Sequence, residues 1–269
     1  MSELIVFSFS MISSIKKILF KLLSQKTYLK VLQRGFYFMY NLGMLKKDEK
    51  FKFHYFIKDI IEPTDTVVDI GANLGYFSRN FAKLTPQGKV LSIEPVKPFY
   101  EVLSAFMAKY KHAEVVNYAL GNENGSITMV LPESNGMIRT GLPHIAESEE
   151  EKKQHKTHEV EVVKGSELLG KLNKIDYIKC DIEGYEVVVF NEIKEVVDHK
   201  MPIVQIEIGP ENEKVMLDYF KSLDYVQYGI CDFKIIKETG TQKEQGDFLF
   251  VPKSKTEQFE EKMKIKGRM

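Results

Sequence analysis

An α/β domain, built on a largely parallel sheet with helices on both faces, is the architecture this sequence predicts. Three observations carry the prediction. From residue 65 onward, short β-branched apolar runs alternate with helical patterns, the signature of strands joined by crossover helices. The first run, T-V-V-D-I at 66–70, leads directly into a glycine turn and a helix start, G-A-N-L-G-Y-F at 71–77. The chain has 269 residues, 43% of them hydrophobic, enough for one large domain with an appendage.

The elements follow in order. Residues 1–62 read as a helical extension. Ile15, Ile18, Leu19, Leu22 and Leu23 recur at helical spacing with lysines opposite, and an aromatic segment follows at 36–42. Residues 1–50 carry nine Lys/Arg against three Asp/Glu. The basic apolar stretch over 12–34 fits either a cap folded onto the main domain or a peripheral contact with an anionic membrane, and the cap is the preferred reading. Strand 66–70 precedes a helix to about residue 84. Pro86, Gln87 and Gly88 turn the chain into strand 89–93, then helix 99–110 and strand 114–118. An extra strand is expected at 126–131. Residues 132–158 read as a loop, since they hold Pro132, Gly136, Gly141, Pro143 and a charged run. Strand 159–163, helix 166–172, strand 175–180, helix 185–197, strand 203–208 and helix 211–222 continue the alternation. Strands 225–230 and 247–251 lack a crossover helix and suggest an antiparallel hairpin at the sheet edge. The layout is thus a helical extension (1–62), the α/β domain (63–253) and a charged tail (254–269), either a peripheral helix or frayed.

Composition narrows the function classes. Lys+Arg and Asp+Glu are both 38, giving zero net charge, which argues against a chain that grips nucleic acid over its whole surface. Cys180 and Cys231 follow no metal or disulfide spacing and are expected as buried free thiols in a reducing, cytoplasmic setting. No run reaches the length of a membrane span, and the apolar start lacks the features of a secretory signal.

The turn at 71–75 carries the chemistry. Gly71 and Gly75 let the backbone approach a ligand, the helix start offers free N–H groups, and Asp69 and Asn73 add polar groups at the same mouth. Glu94, in V-L-S-I-E-P, ends the second strand and is placed to accept hydrogen bonds from both hydroxyls of a ribose. A dinucleotide is disfavoured because the full G-x-G-x-x-G is missing, and there is no G-K-[ST] phosphate loop. A ribose without phosphate, bearing an amino-acid end, fits S-adenosylmethionine. Its ammonium would meet the glycine turn and Asp69, and its adenine would lie near Pro95, Val96, Asn117 and Ala119.

V-V-D-I-G-A-N-L-G-Y-F-S, I-E-P, N-Y-A-L-G, D-I-E-G-Y-E and G-D-F-L-F-V-P, in this order from Thr66 to Pro252, resemble the FkbM family of S-adenosylmethionine-dependent methyltransferases. The resemblance implies a seven-stranded, Rossmann-like sheet and methyl transfer, usually to oxygen, on sugars or secondary metabolites. The acceptor is therefore expected to be a small molecule or glycan. Residues 1–62 lie outside the resemblance.

The segment K-C-D-I-E-G-Y-E (179–186) places Asp181 at the end of the fourth strand, with Glu183 close behind, and Glu207 ends the fifth. Strand ends meet at one rim of such a sheet, so the three carboxylates are expected near the reacting methyl. A hydroxyl acceptor must lose a proton. Asp181 is the first candidate base, with Glu183 or Glu207 orienting the acceptor, helped by like-charge crowding that raises a carboxylate pKa. Two other readings stay open: Asp181 or Glu183 caps the following helix, or the three hold Mg²⁺. No residue is assigned as a metal ligand. Exocyclic-amine methyltransferases carry Asn/Asp-Pro-Pro-Tyr/Phe here, whereas this chain has Asp-Ile-Glu-Gly, so a nucleic-acid acceptor is disfavoured. His155, His158 and Glu159 read as solvated. His144 reads as a surface histidine that a closing loop would bring to the site. Tyr76 and Phe77 read as helix packing. The rival functions are a nicotinamide-dependent oxidoreductase and a catalytically silent adenosyl-binding scaffold.

Overall fold

Alternating side-chain direction explains how one sheet supports two cores. A computed structural model describes residues 16, 18–134, 137–138, 140, 142–146, 148–231, 233–237 and 246–269. Helices α1 (Gln25–Asn41) and α2 (Lys52–Ile60) precede strand β1 (Thr66–Ile70), helix α3 (Ser78–Leu84), β2 (Lys89–Ile93), α4 (Lys97–Met107) and β3 (Ala113–Val116). Short strands β4 (Ala119–Gly121), β5 (Gly125–Leu131), β6 (Glu133–Ser134), β7 (Met137–Ile138) and β8 (His144–Ile145) come next. Helix α5 (Glu149–Gln154), β9 (Lys156–Lys164), α6 (Gly165–Leu169), β10 (Tyr177–Cys180), α7 (Glu186–Glu192), α8 (Lys194–Lys200) and β11 (Ile203–Ile208) follow. The chain closes with α9 (Glu213–Ser222), β12 (Tyr225–Cys231), β13 (Lys234–Lys237), β14 (Gly246–Pro252) and α10 (Thr256–Ile265).

The main sheet has eight strands in the order β13-β12-β14-β11-β10-β1-β2-β3. The run from β11 to β3 is parallel, and β14 enters antiparallel to both β11 and β12. Seven strands match the expectation; β13, a hairpin partner of β12, is the addition. The expected antiparallel pairing of 225–230 with 247–251 is present as β12 and β14, but its place is corrected: β14 sits between β11 and β12, and β13 takes the edge.

On one face Val68, Ile70, Ile178, Val204 and Ile206 pack against Leu169, Val189, Phe190 and Phe220 of α6, α7 and α9. On the other, Val67, Tyr177, Leu249 and Val251 pack against Phe53 and Phe56 of α2, Phe81 of α3 and Phe259 and Met263 of α10. The charged tail is therefore a docked helix, held by Phe259 and Met263 one turn apart and by Arg268 Nε donating to Asp59 Oδ2 at 2.8 Å. A third cluster joins Tyr28 and Leu29 of α1 to Leu74, Phe99 and Val102, and to Met129, Leu131 and Val160 of a second, four-stranded sheet (β4-β9-β5-β8). That sheet draws on 132–158, expected as a loop; among its described residues are β6, β7, β8, α5 and the start of β9. The helix expected at 185–197 is split at Ile193 into α7 and α8. Cys180 is a buried free thiol as expected, but Cys231, at the end of β12, is exposed.

Candidate functional site

The carboxyl ends of β1, β2 and β10 and the inner wall of the small sheet enclose a cleft holding about 720 Å³ of open space. Its place at the carboxyl rim of a parallel sheet is where such folds bind ligands. Gly71 and Asn73 of the first turn, Glu94, Pro95 and Val96 after β2, and Asp181, Ile182 and Glu183 after β10 all line the cleft. Ile127, Met129 and Ile145 supply an apolar wall.

The turn after β1 is built on positive φ. Gly71 has φ +76°, and a Cβ there would lie 1.8 Å from the Asp181 carbonyl oxygen, so only glycine lets β1 and β10 close at this rim. Gly75 has φ +85°, and a Cβ would press within 2.5 Å of Leu103 Cδ1. Asn73, at φ +52°, is a residue type that tolerates the left-handed region. Its backbone N–H donates to Glu94 Oε2 at 2.7 Å, and its side-chain amide donates to the Thr140 carbonyl. Helix α1 clasps the turn from outside: Gln33 Nε2 donates to the Leu74 carbonyl at 2.6 Å, and the Tyr37 hydroxyl donates to the Gly75 carbonyl.

Glu94 is buried and lines the cleft. Besides the Asn73 bond, its Oε1 accepts from the Val96 N–H at 2.8 Å. Burial pushes its carboxyl up to about 7, and the two backbone donors oppose that rise. Each carboxylate oxygen has capacity for a further donor, as two ribose hydroxyls would require.

Below the cleft a polar row crosses the sheet. Ser92, Asp69, Lys179 and Gln205 are register neighbours on β2, β1, β10 and β11, and all four are buried. The Ser78 hydroxyl donates to Asp69 Oδ2 at 2.5 Å, while Asp69 Oδ1 has no partner. Lys179 Nζ donates to Asp181 Oδ2 at 3.1 Å and lies 5.3 Å from the Phe77 ring centre. Tyr177 OH donates to Gln205 Oε1 at 2.8 Å, and Gln205 Nε2 donates to Asp247 Oδ1 at 2.9 Å. Burial raises the carboxyls of Asp69 and Asp247, and the Lys179 ammonium works against that rise in both. Burial lowers the ammonium, but Asp181, Asp69 and Asp247 together hold it above its ordinary value. His54 stacks on Phe77 with ring centres 3.7 Å apart. Burial, then the nearby Lys179 charge, pushes its imidazole down to about 3, so it is neutral.

The acidic rim is electrostatically coupled. Glu183, at φ +52° beside Gly184, has its carboxyl pushed up to about 7 by burial first, then by Asp181 and Glu186. Glu207 stays in contact with solvent, yet partial desolvation and then Asp181, Asp247 and Glu183 push it up to about 8. The 182–184 turn is tied by Glu186, whose Oε1 accepts from Ile182 N at 3.3 Å and Gly184 N at 3.1 Å. Tyr185, at the N-cap of α7, makes no side-chain cap bond, so the helix-capping reading of Asp181 or Glu183 is replaced by Glu186 folding back.

Of the sequence-expected positions, Gly71, Asn73, Glu94, Ala119, Asp181 and Glu183 line the cleft. Asp69, Gly75, Asn117 and Glu207 lie outside its lining. Asp69 is sealed in the polar row, and Gly75 shapes the turn from behind. The Asn117 amide turns to the Glu94 and Pro95 carbonyls, at 2.8 and 2.7 Å, bracing the loop that carries Glu94. Sequence reading did not single out Lys179, Gln205, Asp247 or Glu186. The one signal was Lys179 itself, a charge inside the apolar run Y-I-K-C. His144 meets Glu151 Oε1 through Nε2 at 2.7 Å and the Leu142 carbonyl through Nδ1 at 3.0 Å, at the mouth near Glu183. Tyr76 and Phe77 pack against Phe36 and His54, as expected. Among the described residues no group of His, Cys, Asp or Glu is arranged to hold a metal ion, Asp181, Glu183 and Glu207 included.

A Rossmann-like sheet whose central seven strands run β3-β2-β1-β10-β11-β14-β12, with β14 reversed and the cleft at the carboxyl rim, defines a class I methyltransferase fold. The model of the methyltransferase FkbM domain matches residues 69–226, more than half of the chain, and the protein belongs to that family. Methyltransferase sdnD of Sordaria araneosa is 27% identical over 156 residues, covering 48% of this chain and 60% of that protein. The crystal structure of methyltransferase FkbM from Methylobacillus flagellatus KT aligns with a TM-score of 0.49 and 15% identity, over 71% of this chain and 44% of that one. The S-adenosylmethionine-dependent O-methyltransferase of Thermotoga maritima aligns at 0.41 and 10%, over 76% and 64%.

Proposed function

We propose that this protein transfers a methyl group from S-adenosylmethionine to a hydroxyl of a small acceptor, a sugar unit of a glycan or a secondary metabolite. One observation carries the reading: a single cleft is lined by the glycine turn, Glu94 and the Asp181–Glu183 segment. The residues present fit the cofactor. Backbone at Gly71 and Asn73 faces an amino-acid end, Glu94 can accept from ribose hydroxyls, and Val96, Ala119, Ile127 and Met129 offer apolar cover for a flat base. When bound, S-adenosylmethionine supplies an electrophilic methyl carbon on its sulfonium. The protein's main task is to hold an acceptor oxygen about 3–3.5 Å from that carbon.

Glu183 is the proposed base in place of Asp181. Its carboxyl is poised at about 7, where a general base is both ionised and basic enough to take a hydroxyl proton. Asp181 already accepts from the Lys179 ammonium and serves better as a fixed anion that orients the acceptor. Glu207 completes the acidic edge. The sugar class rests on the family alone. Zero net charge and Asp-Ile-Glu-Gly at 181–184 speak against nucleic acid, and two unpaired cysteines support a reducing, cytoplasmic setting. The oxidoreductase and silent-scaffold readings find no support in the family match.

The test pairs calorimetry with S-adenosylmethionine and S-adenosylhomocysteine to label transfer from the methyl-labelled donor onto a panel of glycans and hydroxylated metabolites. Binding with label on oxygen is expected. No affinity for either form of the cofactor would end the proposal.

A further inference from the structure

We propose that the outward face of the N-terminal helices docks onto an anionic membrane surface. Residues 16–47 contain eight Lys/Arg and no Asp or Glu, in a chain of zero net charge. One side of this segment is fully used. Leu19, Phe20, Leu23, Tyr28, Leu29 and Leu32 pack into the third hydrophobic cluster. The other side is left to solvent although it is strongly apolar. Leu22 is 76% exposed, Phe38 65%, Met44 63%, Leu42 61% and Ile18 58%. On α1 the exposed stripe runs Val31, Arg34, Phe38 and on to Leu42, at helical spacing with a cation among the apolar side chains.

A protein core has no use for large apolar groups held in water, and scattered exposed leucines are ordinary. Here they recur along two successive helical segments within one uninterrupted basic stretch. Apolar side chains that enter the acyl boundary, with lysines beside them at headgroup level, define an interfacial helix. No helix among the described residues is long and apolar enough to cross a membrane, so the chain would lie on the surface. An anionic lipid surface fits better than an acidic protein because the exposed residues decorate convex helix faces. Among the described cations, Lys26 meets Glu101 Oε2 at 2.8 Å and Lys46 Nζ lies 5.6 Å from the Tyr55 ring centre. The same α1 holds the 71–75 turn through Gln33 and Tyr37, so docking would place that turn one helix from the bilayer.

The test uses the full chain and vesicles of phosphatidylcholine, with or without phosphatidylserine. Co-sedimentation is expected only with phosphatidylserine present and should be reversed by high salt. Joint Phe38→Asp and Leu42→Asp should weaken vesicle affinity roughly tenfold or more, by the loss of apolar insertion and the gain of repulsion. Far-UV circular dichroism confirms that the variant is folded. Arg34→Gln alone should weaken binding to anionic vesicles about fivefold. Equal binding to both lipid mixtures, or binding unchanged in the double variant, would overturn the proposal. So would failure to bind vesicles. If the protein then runs as a dimer that Phe38→Asp and Leu42→Asp dissociate, the face joins two copies instead.

Discussion

Lys179→Met removes the ammonium from the middle of the polar row while keeping most of the side-chain volume. Lys179 is 3% exposed, bonds Asp181 at 3.1 Å, and offsets the charges of Asp69 and Asp247. Breaking a buried pair by deleting one partner costs about 3–5 kcal/mol. The lower end applies because Asp181 has a side chain one-third exposed and can rehydrate, leaving Asp69 as the stranded group. About 3 kcal/mol corresponds to a fall in Tm of roughly 6–12 °C for a domain of this size. The pH dependence identifies the cause. The folded-state pKa of Lys179 is raised, so its contribution is complete below its ordinary value and constant across neutral pH. In the variant the carboxyls of Asp69 and Asp247 rise further, and their penalty fades as falling pH protonates them. Urea unfolding at pH about 7.5 and about 5.5 should show the deficit shrinking at the lower pH. A variant as stable as the parent at the higher pH, or a deficit equal at both, refutes the charge account of the row.

Glu183→Gln should lower kcat/KM by roughly 10²–10⁴ while leaving cofactor affinity intact, and the parent's kcat/KM should rise with pH through about 7, since the base acts deprotonated. Glu94→Ala should weaken S-adenosylmethionine binding by about 10–100-fold in calorimetry, through loss of charge-assisted bonds worth about 1.5–3 kcal/mol each. Gly71→Ala should yield little soluble protein or lose more than about 3 kcal/mol of stability, because the added methyl meets the Asp181 carbonyl at 1.8 Å; wild-type expression and Tm would contradict the closure of β1 on β10. The unliganded protein should lose stability as pH rises from about 5 to about 8. Glu94 and Glu183, at about 7, have raised folded pKa values, so their contribution is complete at low pH and lost on the way up, with Glu183 discounted for its partial exposure.

Local pattern made the first half of the site legible. A β-branched run, a glycine turn and a carboxylate one strand later are local signals, and Ile70, Gly71, Asn73 and Glu94 meet at the cleft. Long-range facts were not legible. Nothing in 247–251 says that its strand enters between two earlier ones, and β13 is only four residues long with lysines at both ends. Asp69 looked like a ligand contact because it follows the strand pattern to its end. The period-two alternation instead puts Val67 and Asp69 on the face opposite Val68 and Ile70, inside the helix-covered core. Asn117 was read as a ligand contact, and its amide nitrogen donates to the Glu94 and Pro95 carbonyls, a loop-bracing role that no local pattern announces. Capping by Asp181 or Glu183 stayed open from their place before α7, yet the longer reach of Glu186 from within that helix satisfied the turn.

The position of β14 ties synthesis order to completeness. Translation delivers β11 and β12 before the strand that separates them, so a nascent chain holds two unfinished borders until residues 246–252 emerge. Those borders expose unpaired amides and carbonyls, and neighbouring chains at high concentration would find them adhesive. A shortened clone ending at the family boundary near residue 226 would keep the cofactor turn and Glu94 and still be a poor reagent, because its sheet would remain open where Phe248 and Phe250 belong.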